Sequence, residues 1–206
     1  MVEAMLKDFL SEHLSTGFTS ANLPENAKPA GVLVPLFMKN KTWQVLLNKR
    51  SSQVADHKNE IAFPGGRLES SDSDIQACAL REAHEEMGIL PQDVSILGQL
   101  DIVVTRTGYA VYPTVGVIPY PYNFKVSPNE VAEVLEVPIR ELLDPINLLH
   151  EARLTSNYEL DKSVSFIHED KLIYGATAKT ISQLTQIISE ALRSNPTMES
   201  EESIQI

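Results

Sequence analysis

The chain predicts a mixed α/β fold, and two observations carry that expectation. Short apolar runs such as GVLVPLF (31–37), WQVLLNKR (43–50), VSILGQL (94–100) and TVGVIP (114–119) read as strands, and they alternate with three or four segments of helical periodicity. No internal repeat and no Gly/Ser-rich linker divides them, so one domain of roughly 190 residues is the expected unit.

The first segment, MVEAMLKDFLSEHL, places Val2, Met5, Leu6, Phe9 and Leu10 at helical spacing with Gly17 as a stop. It reads as an amphipathic docking helix within residues 1–20, able to serve as a dimer interface or to cap its own sheet. Charges interrupt it too often for a targeting segment. After a polar stretch from Asn22 to Pro29, strands 31–37 and 43–50 form a hairpin across the turn Lys39–Thr42, and Ile61–Phe63 runs into a loop, Pro64-Gly65-Gly66. A helix follows from Asp72 to Met87, with Asp72 or Ser73 as N-cap and Gly88 ending it. VSILGQL, DIVVT and TVGVIP are the next strands, and VAEVLEV is a strand or extended segment. Pro138 starts a short helix that Pro145 stops. VSFIHEDKLIYG reads as a hairpin, and Thr177 as the cap of a last helix with Ile181, Leu184, Ile188 and Leu192 on one face. Residues 195–206 are expected to be an acidic flexible tail.

Composition narrows the function classes. The chain has 206 residues and a formal charge of −11, which disfavours a general nucleic-acid binder. The first 70 residues hold eight Lys+Arg against seven Asp+Glu, so the locally basic part comes first, with Arg50 and Arg67 its most defensible functional cations. One cysteine, Cys78, allows no intrachain disulfide, and no Cys/His spacing suits zinc. No apolar run approaches the length of a membrane span. A cytoplasmic protein is expected.

Helical geometry then brings three carboxylates together. At about 100° per residue, Glu82, Glu85 and Glu86 share one face of the helix 72–87, while Gln76, Leu80, Ala83 and Met87 form a separate core stripe. Like charges at helical neighbours repel, so the face calls for a cation, and oxygen ligands select a hard one, Mg2+ or Mn2+. Phe63-Pro64-Gly65-Gly66 lets backbone approach a metal or phosphate closely. Arg81 stands beside Glu82, either orienting it or meeting a phosphate oxygen.

GGRLESSDSDIQACALREAHEEMGI (65–89) resembles the signature of the Nudix hydrolases, with Arg81, Glu82, Ala83, Glu85, Glu86, Gly88 and Ile89 in the motif positions. The spacing from Gly66 to Arg81 is one residue longer than the commonest version and carries Asp72 as the early acid, as in the branch that cleaves coenzyme A. LLNKRSSQVADHKNEIAFPGG (46–66) resembles that branch's additional signature at Leu46, Leu47, Arg50, Ser51, His57, Phe63, Pro64, Gly65 and Gly66; its Arg falls at Ala55 and its Gly at Asn59. Residues 105–116, 129–139 and 173–184 also resemble the branch.

The resemblance implies an α/β/α sandwich with a mixed β-sheet over residues 30–194. It implies a metal-dependent hydrolase of coenzyme A or acyl-coenzyme A, giving 4′-phosphopantetheine and adenosine 3′,5′-bisphosphate. Metal would be held by Glu82, Glu85, Glu86 and Gly66, with Arg81 assisting and Glu130 or Glu133 as candidate general base. Arg50, Ser51, His57, Phe63, Gly65, Gly66 and Arg67 would meet the substrate, a small-molecule diphosphate. A Nudix hydrolase for another nucleoside-diphosphate substrate, or a nucleotide sensor without turnover, are the alternatives, and a homodimer is one expected state. His84 is expected at the surface, Tyr109 and Tyr112 at a purine-stacking loop or in the core, and Cys78 without redox chemistry.

Overall fold

Strands β1 (Lys28–Lys39) and β2 (Thr42–Arg50) form the expected hairpin, and its turn residues Asn40 and Lys41 both take positive φ, the two-residue geometry that matches strand twist. In this computed structural model the described residues are 2–17, 24, 26–53, 57–154 and 160–194. The acidic tail 195–206, residues 18–20 of the first segment, most of Asn22–Glu25, and Ala55 lie outside them.

The hairpin splits. β1 pairs with β2 only from Leu36 to Lys39; further back, Ala30, Gly31 and Val32 pair instead with β4 (Gly65–Arg67). On the other arm, Asn48 and Lys49 pair with β3 (Ile61–Ala62). The segment 61–67 is therefore wedged between diverging strands. This corrects the expected loop at Gly65-Gly66: these glycines are strand residues, because the open edge of β1 offers them ladder hydrogen bonds.

The sheet is completed by β5 (Ser95–Gln99), β6 (Val103–Val104) and β7 (Tyr109–Val117), which begins earlier than TVGVIP suggested, and by β8 (Val131–Pro138) along β2. β7 runs parallel to β1 and the other pairings are antiparallel, so the eight described strands make a mixed sheet. A second sheet joins β9 (Leu148–Leu154), β10 (Leu160–His168) and β11 (Lys171–Ile173). The last two are the expected hairpin. β9 was not expected, since LLHEARL lacks clean alternation.

Side-chain alternation along β1 and β2 sends two apolar sets to opposite faces. Leu33, Phe37 and Leu46 pack with Ala79, Ala83, Met87 and Ile89 of α2 (Ile75–Met87) and the residues just after it. Val34, Leu36, Val45 and Leu47 pack on the other face with Leu6, Leu10 and Leu14 at α1 (Val2–His13), and with Ile181, Leu184 and Ile188 of α4 (Gly175–Ser194). The short helix α3 (Ile139–Leu143) adds Ile139 and Leu142 to that layer. The result is an α/β/α sandwich.

Four local expectations change. α1 stops at His13, before Gly17, because Ser15 exchanges backbone hydrogen bonds with Gln99 at 3.1 and 2.9 Å and draws the chain onto β5. With Leu6, Leu10 and Leu14 in the core, α1 caps its own sheet. The N-cap of α2 is Asp74, which accepts from Ala77 N at 2.8 Å, while Gly88 ends the helix at φ 71°. Cys78 and Ala79 replace Gln76 and Leu80 at the fully buried positions, since small side chains let the helix lie close against the strands. Thr177 does not cap α4; its hydroxyl donates to Ile61 O at 3.1 Å and ties that helix to β3.

Candidate active site

The wedge 61–67 brings β4 under α2, and the contact is close enough that a side chain at Gly66 would displace the Glu82 carboxyl. A Cβ there would lie 2.4 Å from the Glu82 carboxyl carbon. Gly65 N–H points to Glu86 Oε2 at 3.4 Å. Beneath the wedge, Cys78 Sγ donates to Arg67 O at 3.3 Å; burial pushes its thiol up to about 11, which agrees with a packing role.

The three glutamates differ sharply in environment. Glu85 is exposed and accepts from Arg81 Nη1 at 2.9 Å. Glu82 is half-buried, and burial raises its pKa even though Arg81 Nη1 lies 3.0 Å from its Oε1. Glu86 is 4% exposed, and burial raises it to about 7 against the lowering influence of Arg50 and of the Asn48 hydrogen bond. Its Oε2 accepts from Asn48 Nδ2 at 2.8 Å, and its Oε1 faces Arg50 Nη1 at 3.4 Å.

Arg81 ties the site together. It donates to both oxygens of Asp72, Nε to Oδ1 at 2.8 Å and Nη2 to Oδ2 at 3.1 Å, and also to Arg67 O at 3.2 Å. Hydrogen bonding from Arg81 holds the Asp72 carboxyl down at about 2. The early acid thus anchors the loop 67–72 to α2 and is not a helix cap.

A buried and a half-buried carboxylate whose charge burial opposes, flanked by a third on the same helix, form an all-oxygen donor set that suits a hard divalent cation. Among the described residues, no three Asp, Glu, His or Cys side chains already converge into a cage. Glu82 and Glu85 are turned to Arg81 and Glu86 to Asn48, so these partners set the orientation of the free carboxylates.

A cleft of about 700 Å³ opens beside this centre, between the wedge and the second sheet. Arg50, His57, Phe63, Gly65, Gly66 and Arg67 line it as the sequence suggested, and so do Arg106, Tyr109, Lys162, Ser163, Ser165, Tyr174 and Lys179, most of which no motif flagged. Arg67 lies over the Tyr109 ring at 5.2 Å. Ser51 is the exception: it is buried, and its hydroxyl accepts from Gln53 N at 3.1 Å. Of the two base candidates, Glu130 is exposed and its charge raises Glu82, whereas Glu133 is paired with Lys171 at 3.4 Å. His84 is exposed, as expected. Asn59 sits at φ 60°, a conformation that glycine adopts freely and that asparagine tolerates better than most side chains.

The chain can be set against known proteins. The family model described as NUDIX domain matches residues 27–158. The chain is similar to a protein of Photorhabdus laumondii named uncharacterized Nudix hydrolase NudL, 37% identical over 164 residues that cover 80% of this chain and 87% of the relative. It is also similar to the NudL protein of an Enterobacter species, 41% identical over 138 residues that cover 67% and 71%. Among solved structures, RenU, a Nudix hydrolase from M. smegmatis, aligns with TM-score 0.55 at 17% identity over 82% of this chain and 93% of that one. At that identity the likeness concerns the fold.

Proposed function

The chain belongs to the NUDIX domain family and is a hydrolase of phosphorus anhydrides; on that premise we propose that its substrate is coenzyme A or an acyl-coenzyme A, cut at the diphosphate. The observation that carries the reading is the longer loop with Asp72 as early acid, which resembles the coenzyme A branch and which Arg81 binds through two hydrogen bonds. The cleft supports it. Cations at Arg67, Arg106, Lys162 and Lys179 suit a substrate with a phosphate beyond the scissile diphosphate, and apolar walls at Phe63, Val111, Val164 and Leu172 suit a pantetheine arm.

Nudix hydrolases generally use divalent metal ions; we take Mg2+ or Mn2+ as the ion here and assign its ligands to Glu82, Glu85, Glu86 and Gly66. Bound there, it would neutralise the diphosphate and lower the pKa of a water. Arg81 orients Glu82 and Glu85 and locks the loop that carries Asp72. Glu130 takes the proton of the attacking water, in preference to Glu133, which Lys171 engages. Arg50, His57 and Arg67 bind phosphate oxygens, Phe63 and Gly65 shape the wall beside them, and Ser51 supports the strand end. The reading includes residues 30–194 as the catalytic unit and a cytoplasmic setting. Among the described residues, no helix is long and apolar enough to cross a membrane.

The test is product identification by mass after incubation with Mg2+ or Mn2+ and a panel of coenzyme A, acetyl-coenzyme A, ADP-ribose, NADH and diadenosine compounds. Release of adenosine 3′,5′-bisphosphate by the wild type, and not by Glu86→Gln, is the expected result. Cleavage confined to the other diphosphates would replace coenzyme A by another nucleoside-diphosphate substrate, the change that Ala55 in place of the signature arginine would favour. Binding without any cleavage would make the protein a nucleotide sensor.

A further inference from the structure

We infer that Asn48 is a positioning residue of this site, the side chain that holds Glu86 in place for a divalent cation. The inference rests on the metal-dependent reading above. Asn48 lies on β2 with no exposed surface, paired in the sheet with Ala62 on one side and Val134 on the other. Such a position ordinarily takes an apolar residue, as Leu46 does two residues earlier on the same face. A buried amide there costs stability unless its polar atoms are used. Its Nδ2 is used on one group, Glu86 Oε2, at 2.8 Å, while Oδ1 is buried without a partner.

The choice of a neutral donor matters. Among the described residues three groups reach the Glu86 carboxylate, and the two besides Asn48 are slack: Arg50 Nη1 and Gly65 N each stand at 3.4 Å. A close bidentate arginine would fix the carboxylate but neutralise it, and so compete with a cation. Asn48 fixes one oxygen and leaves the charge intact. Among the described residues, the other oxygen, Oε1, is held only by the long contact to Arg50, which lines the cleft and has its own buried Nε unpaired. Glu86 is thereby anchored at one oxygen and available at the other.

An isosteric pair isolates the donor. Asn48→Thr keeps a hydroxyl in the strand, and Asn48→Val has the same shape without it. Mn2+ titration followed by electron paramagnetic resonance should give a Kd within a few-fold of wild type for the Thr variant, and about tenfold or more weaker for the Val variant. Circular dichroism and thermal melting report whether each is folded. If either fails to fold, Asn48→Ser against Asn48→Ala makes the same comparison with smaller side chains. A folded Val or Ala variant that binds Mn2+ as tightly as wild type would overturn the inference, as would a wild type that binds no Mn2+. Since no substrate enters the titration, a wild type that binds Mn2+ but leaves coenzyme A intact would refute the substrate assignment alone.

Discussion

Arg81 grips Asp72 with two parallel hydrogen bonds, at 2.8 and 3.1 Å, across nine residues of chain. The same guanidinium reaches Glu82 at 3.0 Å and Glu85 at 2.9 Å, so one cation balances three carboxylates. This connection makes the loop 67–72 part of the site and gives the early acid a structural task.

That pair makes stability depend on acid. Asp72 titrates near 2 in the folded protein against an ordinary value of 3.8, so its contribution is fully present above about pH 4 and is lost as pH falls through 2. Asp72→Asn should lower stability at pH 7 by about 1–3 kcal/mol, the scale of a hydrogen bond to a charged group. Urea denaturation of both proteins across pH 7 to 2 should show the gap closing between about pH 4 and 2. A gap that stays constant with pH would mean the charge of Asp72 is not what Arg81 uses.

Glu86→Gln removes a buried charge and keeps an acceptor for Asn48. Turnover with Mg2+ or Mn2+ should fall by about 10²-fold or more. The melting temperature should hold or rise, because burial opposes the charge of Glu86. A large drop in melting temperature would show Glu86 to be a structural ion-pair partner of Arg50.

Gly66→Ala tests the close approach of β4 to α2. The added methyl meets the far end of a flexible side chain, the Glu82 carboxyl, so Glu82 moves and the backbone stays. Activity should fall at least about tenfold, with a change in stability under about 1 kcal/mol. Full activity in the variant would show that Glu82 functions equally well displaced.

Leu10→Ala probes whether α1 belongs to the fold. Leu10 is fully buried between the sheet and α4, so the substitution should cost about 2–5 kcal/mol in urea unfolding, with unchanged kcat at temperatures where the protein stays folded. Unchanged stability would mean that α1 is not docked in solution.

Much of this was legible in the residues. The β1–β2 hairpin follows from two apolar runs around a polar turn, and the carboxylate face of α2 from spacing along 82–86. Both depend on neighbours within one or two turns of chain. Asn48 was not legible: one polar residue among the four in WQVLLNKR does not announce that it is buried, nor that Glu86, 38 residues on, is the group it meets. The Asp74 cap was missed for a similar reason: Asp72, Ser73 and Asp74 are all good caps, and it is tertiary structure that engages Asp72 with Arg81 and leaves the cap to a later residue.

By itself the sequence determined that apolar strands alternate with amphipathic helices, because hydrophobic periodicity marks each element, and that three glutamates share a helix face beside a glycine pair; the order of the layers came only as an implication of the family resemblance. Tertiary structure alone decided that the hairpin splits, that segment 61–67 fills the split, and that the second sheet walls the cleft. Those outcomes depend on backbone hydrogen bonds left open when β1 and β2 diverge, and such vacancies arise only once distant strands have taken their register.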